Sequence, residues 1–274
     1  MEKPAVLTAL TRRSLAIQGA GLAMLAAMPR AARADTPWLH DPVVVYADHA
    51  LRPALDSLGT QFAQLHGAPV KIFAAAPTQS IGLLEHATQC DVLITLTPAM
   101  DQAAAGAVLG DARSTLWRTR LVFASLAPRP SAALPDGPPA GSFSPETLRD
   151  AVGAGKLAVT DPTHSATFNG WQVLDRAGLT GILKDHVQGA LNTEQAAGML
   201  RTGDATVALL HATEAAAIPG LRVLMTVPDT AYSPITYDMA LTKTAWSRHQ
   251  AALMSWLAGL PDGRLHELGL EHPA

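Results

Sequence analysis

From residue 43 onward, apolar positions come in short runs separated by segments of helical spacing. Val43-Val44-Val45-Tyr46 is a β-rich run that predicts a strand, and Leu51, Leu55, Leu58, Phe62 and Leu65 then fall at helical spacing. Val70-Lys71-Ile72-Phe73 returns to strand, a helix is predicted over 79–86, and 92–96 is the next strand. The resulting β-α-β-α-β unit argues for a parallel sheet covered by helices on both faces, with ligands outside the carboxyl ends of the strands. A helix over 100–109 and a strand over 121–124 follow, then a loop over 128–141 that holds five prolines and two glycines. The same grammar recurs beyond it. Helices are predicted over 145–152, 168–177 and 194–201, and strands over 156–159, 207–210, 221–227 and 237–241, while 186–191 fits a strand or a helix end. An amphipathic helix over 246–257 and a short one over 264–268 close the chain. Two α/β blocks of similar size predict two lobes facing a cleft, a common place for a small ligand.

Composition narrows this picture. The 274 residues are 48% apolar and include one cysteine, which excludes both a disordered chain and a disulfide scaffold. Cys90 precedes the apolar run Val92-Leu93-Ile94 and is expected to be a buried core thiol. The formal charge of −3 is unevenly spread, because residues 1–34 carry Lys3, Arg12, Arg13, Arg30 and Arg33 but only Glu2. The remainder holds 15 basic and 22 acidic residues, so no basic surface for nucleic acid or an anionic membrane is predicted. Residues 1–34 themselves read as a signal peptide. Thr11-Arg12-Arg13-Ser14-Leu15-Ala16-Ile17, an apolar run to Met28 and the small-x-small site Ala32-Arg33-Ala34 match a twin-arginine (Tat) export signal cut before Asp35. The apolar stretch falls well short of the roughly 20 residues that span a bilayer. The expected location is the bacterial periplasm.

In this frame a family resemblance emerges. Val44-Val45-Tyr46-Ala47, Phe73-Ala74-Ala75-Ala76, Asp91-Val92-Leu93-Ile94-Thr95, Leu157-Ala158-Val159-Thr160-Asp161-Pro162 and Trp256-Leu257-Ala258-Gly259 occur in the order and spacing seen in periplasmic molybdate-binding proteins of ABC importers. The chain resembles these ModA-like proteins from about Val43 to Leu270. The resemblance implies the type II periplasmic-binding-protein fold, two α/β lobes around a ligand cleft joined by two crossing strands. The crossings are expected near 121–124 and 237–242, with lobe 1 over 35–122 plus 239–274 and lobe 2 over 123–238. It also implies capture of a small ligand, molybdate or a related oxyanion, for an ABC-type membrane permease, by a monomer without a cofactor.

The resemblance places the ligand contacts at four loop-to-helix junctions, where hydroxyls and helix N-terminal amides favour an anion. The first is Asp48-His49-Ala50, with Ala50 where the family presents a serine. The second is Ala75-Ala76-Pro77-Thr78, where Pro77 removes a donor and Thr78 alone supplies a hydroxyl. The third is Asp161-Pro162-Thr163-His164-Ser165-Ala166-Thr167, whose Ser165, Ala166 and Thr167 are expected donors. The fourth is Thr193-Glu194-Gln195-Ala196, with backbone donation expected at Ala196. His211 aligns with a family tyrosine at the end of a lobe 2 strand.

These departures open other ligands. His49, His164 and His211, with Asp48 and Glu214 nearby, would suit a metal ion or metal complex, and His49 and His211 when protonated would suit a small organic anion. In either case import need not be the purpose of binding. Equally, ten histidines place some at junctions by chance, and no His-x-x-His or His-x-x-x-His pair marks a preformed site. A hydrolase reading of Asp161, His164 and Ser165 lacks a Gly-x-Ser-x-Gly elbow, and such close neighbours cannot form the linear nucleophile, base and orienter geometry. Trp246, Met254 and Trp256 are assigned to packing or surface of the last long helix, Trp171 to seating its own helix, and Tyr232 and Tyr237 are left out of the site.

Overall fold

A computed structural model of the chain describes residues 41–86, 88–104, 106–126, 144–161 and 169–273. The expected signal peptide, the proline-rich loop over 128–141 and the third junction's His164, Ser165, Ala166 and Thr167 lie outside the described residues. Two sheets organise the rest. The first contains β1 (Val43–Asp48), β2 (Val70–Ala75), β3 (Val92–Leu96), β4 (Val108–Thr119), β10 (Ile235–Thr242) and β11 (Leu270–Glu271), in the order β11-β4-β10-β3-β1-β2. The second contains β5 (Leu121–Ser125), β6 (Leu157–Thr160), β7 (Val187–Ala190), β8 (Val207–His211) and β9 (Arg222–Thr226), in the order β7-β6-β8-β5-β9. Each has a parallel side (β2-β1-β3 and β7-β6-β8) extended by antiparallel strands. The fold is therefore the two-lobed periplasmic-binding type that the resemblance implied.

Helices α1 (Arg52–His66), α2 (Pro77–Glu85), α3 (Thr97–Ala104), α9 (Gln250–Ala258) and α10 (Asp262–Glu267) accompany the strands of the first sheet in sequence. Those that accompany the second are α4 (Pro145–Val152), α5 (Gly170–Arg176), α6 (Thr180–Leu183), α7 (Thr193–Thr202) and α8 (Ala212–Ala217). Alternation along β1 shows how both faces are used: Val43, Val45 and Ala47 join one apolar cluster while Val44 and Tyr46 join another with Ile81, Leu93 and Met100. The first of these clusters continues through Leu121, Tyr232 and Tyr237 into Leu157, Val207 and Leu209, so one core runs through both lobes. A third cluster, rich in alanine, covers the other face of the second sheet. Cys90 is buried as expected, and burial pushes its thiol up to about 12.

Several elements differ from the sequence expectation. The helix predicted over 100–109 ends at Ala104, because β4 begins at Val108 and pairs antiparallel with β10 and β11. The passages between sheets precede the strands expected to cross. β4 leaves the first sheet at Thr119, β5 enters the second at Leu121, and the chain returns between Thr226 and Ile235. The last long helix starts at Gln250 rather than 246, since the amides of Trp246 and Ser247 donate to the buried Asp91 carboxylate at 2.7 and 2.9 Å. Asp91 also accepts from the Val44 amide at 2.8 Å and so ties β1 and β3 to the segment before α9. Trp246 is left 64% exposed outside any helix.

Two predictions follow from backbone geometry. Gly67, which ends α1 at φ 67°, has open space where a Cβ would stand, whereas Gly269, at φ 69°, lies against the Ala212 and Thr213 backbone. Gly67→Ala should cost about 1 kcal/mol, the left-handed penalty alone. Gly269→Ala should cost about 2–4 kcal/mol because overpacking adds to the same penalty; equal melting temperatures for the two variants would refute this. Asp91→Asn should destabilise by about 2–4 kcal/mol, since an amide nitrogen replaces one acceptor of buried N–H groups, and urea midpoints measure it.

Candidate functional site

Parallel strands deliver their carboxyl ends to one edge of a sheet, and there each hands over to a helix whose first amides lack partners. At the end of β1, the Asp48 carboxylate caps a 3-10 turn (His49–Leu51) by accepting from the Ala50 amide at 3.0 Å. At the end of β8, His211 precedes α8, and the His211 amide donates to Glu214 Oε2 at 3.2 Å. Glu214 Oε2 also lies 3.3 Å from His211 Nδ1, and Glu214 Oε1 accepts from the Thr193 hydroxyl at 2.5 Å. Asp48 and His211 come from different sheets, yet α8 packs on both the 3-10 turn and α1. The junctions therefore meet across the two lobes.

The electrostatics follow from this meeting. Burial pushes the Asp48 carboxyl up, against the Ala50 amide and the charges of His211 and His49, which favour the ionised form. Burial acts on Glu214 in the same sense, but hydrogen bonding and charge from His211, with the Thr193 hydroxyl, outweigh it and hold the carboxyl below its ordinary value. Tyr237 of β10 lies within the field of both carboxylates. Its hydroxyl has no hydrogen-bond partner among the described residues, and burial, with the charges of Asp48 and Glu214, pushes the phenol well above its ordinary range.

Three helical faces enclose a cavity of about 290 Å³ beside this cluster. The first lobe contributes His49, Arg52 and Pro53. From α7 come Thr193, Ala197 and Arg201, spaced four apart and so stacked on one face, with Asn192 and Glu194 at the helix start. Glu214, Ala217 and Ile218 of α8 complete the lining. Within α7 the Asn192 side chain accepts from Gln195, so Thr193 and Glu194 are the residues whose amides the helix cannot itself satisfy. A larger cavity of about 600 Å³ lies along α1 and β2, lined by Gly59, Thr60, Ala63 and Val70, away from the four junctions. It has no cationic side chain and fits the chemistry less well, although it is the roomier.

The sequence-derived residues separate on this map. Asp48, His211 and the neighbouring Glu214 come together, and His49 is exposed on the cavity wall. Ala50 is buried with its amide spent on Asp48, and the Ala196 amide, expected to face a ligand, donates instead to the Asn192 carbonyl at 3.1 Å. That donation is simply the first turn of α7 closing on itself. Ala76 is the N-cap of α2 and Thr78 is exposed in its first turn, and neither lines the 290 Å³ cavity. No group of three His, Cys, Asp or Glu among the described residues is arranged to hold a metal ion. Arg52, Arg201 and Glu194 were not singled out from the sequence. The i, i+4, i+8 spacing of Thr193, Ala197 and Arg201 was the available signal.

Comparison with known proteins agrees with this architecture. Residues 43–261 match the family described as bacterial extracellular solute-binding protein. The periplasmic molybdate-binding protein of Azotobacter vinelandii superposes with a TM-score of 0.65 at 19% identity, over 85% of this chain and 100% of that one. A substrate-binding domain assigned to a molybdenum ABC transporter from Clostridium difficile gives 0.63 at 16% identity, over 85% and 99%. Peb3 from Campylobacter jejuni gives 0.59 at 11% identity, over 84% and 100%, and an L-phospholactate-bound Peb3 structure gives 0.61 at 13% with the same coverage. No curated protein sequence matches the chain. No helix among the described residues is long and apolar enough to cross a membrane. At these identities the structural likeness is one of fold, and the family match covers most of the length: the chain belongs to the bacterial extracellular solute-binding proteins and has their two-lobed, ModA-like architecture.

Proposed function

We propose that the protein captures a small anion between its lobes in the periplasm, after twin-arginine export, and delivers it as a monomer to an ABC-type permease. One observation carries the reading. The 290 Å³ cavity is lined by Arg52 of one lobe, which also lies 3.4 Å from Asp56 of its own helix, and by Arg201 of the other, together with His49 and the start of α7. An anion bound there makes contacts to both lobes and so favours the closed arrangement. The acidic net charge of the chain is no obstacle, because the donors are local.

Molybdate is bound by the Azotobacter relative and L-phospholactate appears with Peb3, so both a tetrahedral oxyanion and a small organic acid have precedent on this fold. Two features favour the organic acid. The amides of Ala50 and Ala196 are spent within the chain, and the cavity volume approaches the roughly 300–1,000 Å³ of ordinary small-molecule clefts, more than a five-atom oxyanion fills. Histidine serves here as a neighbour of the anion. His49 faces the cavity and buried His211 lies against Glu214, and among the described residues no three His, Cys, Asp or Glu are arranged to hold a metal ion.

Thermal unfolding of the mature protein with each of molybdate, tungstate, sulfate, phosphate and a phosphorylated hydroxy acid tests the reading. A ligand at a thousand times its dissociation constant should add about 4 kcal/mol, a rise of roughly 8–16 °C for a chain of this size. Arg201→Ala should remove most of that rise without lowering the melting temperature of the free protein. If no anion of the panel raises it in the parent protein, the reading is wrong.

A further inference from the structure

Glu214 is an odd residue to find in the wall of an anion cavity. Its side chain is only 12% exposed, its carboxylate is fixed by the Thr193 hydroxyl on one oxygen and by the His211 amide on the other, with His211 Nδ1 3.3 Å from the second oxygen, and it lines the cavity beside His49, Arg52 and Arg201. A carboxylate offers about four lone-pair positions, and these two hydrogen bonds use one on each oxygen. Oε1 therefore keeps an acceptor position beside the one that Thr193 uses. Resting on the small-anion reading above, we infer that Glu214 is a specificity-determining residue: it makes the cavity select anions that keep a hydrogen-bond donor and reject anions that are fully deprotonated.

The argument is one of charge and donor count. Arg52, Arg201 and the α7 amides attract any anion, so they cannot tell a hydrogen phosphate from a sulfate of nearly the same size. Glu214 can, because a ligand hydroxyl donates to its free lone pair, while a ligand without a proton brings an oxygen lone pair against it and gains only repulsion. The carboxylate has no easy escape. Thr193 and His211 hold it in place, and the same partners favour its ionised form. The ligand class is therefore a hydroxy acid, a phosphorylated acid or a protonated oxyanion, with the donor turned toward α8 and the charge toward Arg52 and Arg201.

Titration calorimetry of the mature protein at pH 7 with matched pairs tests this: hydrogen phosphate against sulfate, and glycolate against acetate. The donor-bearing member of each pair should bind about 100-fold more tightly or better, the scale on which a site with a buried polar partner rejects an analogue that lacks it. Glu214→Gln keeps an acceptor for the His211 amide and adds a donor toward the cavity, so it should bring sulfate to within about tenfold of phosphate, mainly by strengthening sulfate binding. Arg201→Ala should weaken both members of a pair alike. Sulfate or molybdate binding to the parent as tightly as phosphate would overturn the inference and leave the small-anion reading standing, whereas no binding by any member would remove both. Because the paired ratios in the parent need no variant, a Glu214→Gln protein that failed to fold would leave the test intact, and ratios near one would then refute the inference.

Discussion

A backbone amide at the end of a buried strand needs an acceptor, and in this protein the chain supplies it from its own carboxylates. Asp48 accepts from Ala50 after β1, and Glu214 accepts from His211 after β8. Both amides are therefore satisfied within the chain. The arrangement fixes the two junctions, and the cavity lies beside them, between the 3-10 turn, α7 and α8. The cluster is also a joint between lobes, because α8 of one packs on α1 of the other next to the two carboxylates. Buried charges of this kind are tolerated only when paired and hydrogen-bonded, and Glu214 meets that condition with two hydrogen bonds and the His211 ring 3.3 Å away.

How much of this was legible in the sequence depended on how local the deciding interaction is. The β-α-β-α-β opening could be read directly, because Val43–Tyr46 and Val92–Leu96 are apolar runs and the stripe from Leu51 to Phe62 needs only its own helix to be recognised. β4 could not. Its Arg113 and Arg118 look like loop residues until Asp238 of β10, with its oxygen 2.8 Å from Arg113 Nε, and Glu271 of β11, 2.7 Å from Arg118 Nε, neutralise them from more than a hundred positions away. The start of α9 failed in the same manner: nothing near Trp246 reveals that its amide is bound to Asp91, 155 residues earlier. Helical period alone extends a helix until some distant acceptor claims its first amides.

The site was legible to the same degree. The residues that could be aligned, Asp48, His49 and His211, do gather near the cavity, since strand ends are positions that topology fixes. What the alignment could not carry was the state of each amide. Ala50 and Ala196 sit in the right turns, yet both N–H groups are bonded inside the chain, one to a side chain two residues away and the other to the helix's own first carbonyl. A missing serine says that a hydroxyl has gone; it does not say what has taken the vacated hydrogen bond. Tyr237 escaped for the converse reason, because a tyrosine in an apolar strand looks like packing, and only the charges of Asp48 and Glu214 acting on its buried phenol tie it to the polar cluster.

Closure of a two-lobed receptor requires that the ligand add something which neither lobe has alone. Arg52 and Arg201 are exposed cations of the two lobes on one cavity, and in the proposed reading an anion that contacts both would favour the closed arrangement. Glu214 adds a carboxylate to the same lining from the α8 side. That mixture of charges bears on ligand choice. A strongly charged oxyanion would neutralise the arginines but press against Glu214, and a neutral solute would spare Glu214 but leave the arginines without an anion. In the proposed reading an anion that also donates a hydrogen bond suits both the arginines and Glu214, so that the chemistry of the wall, rather than the fold it stands on, would decide what the cleft holds.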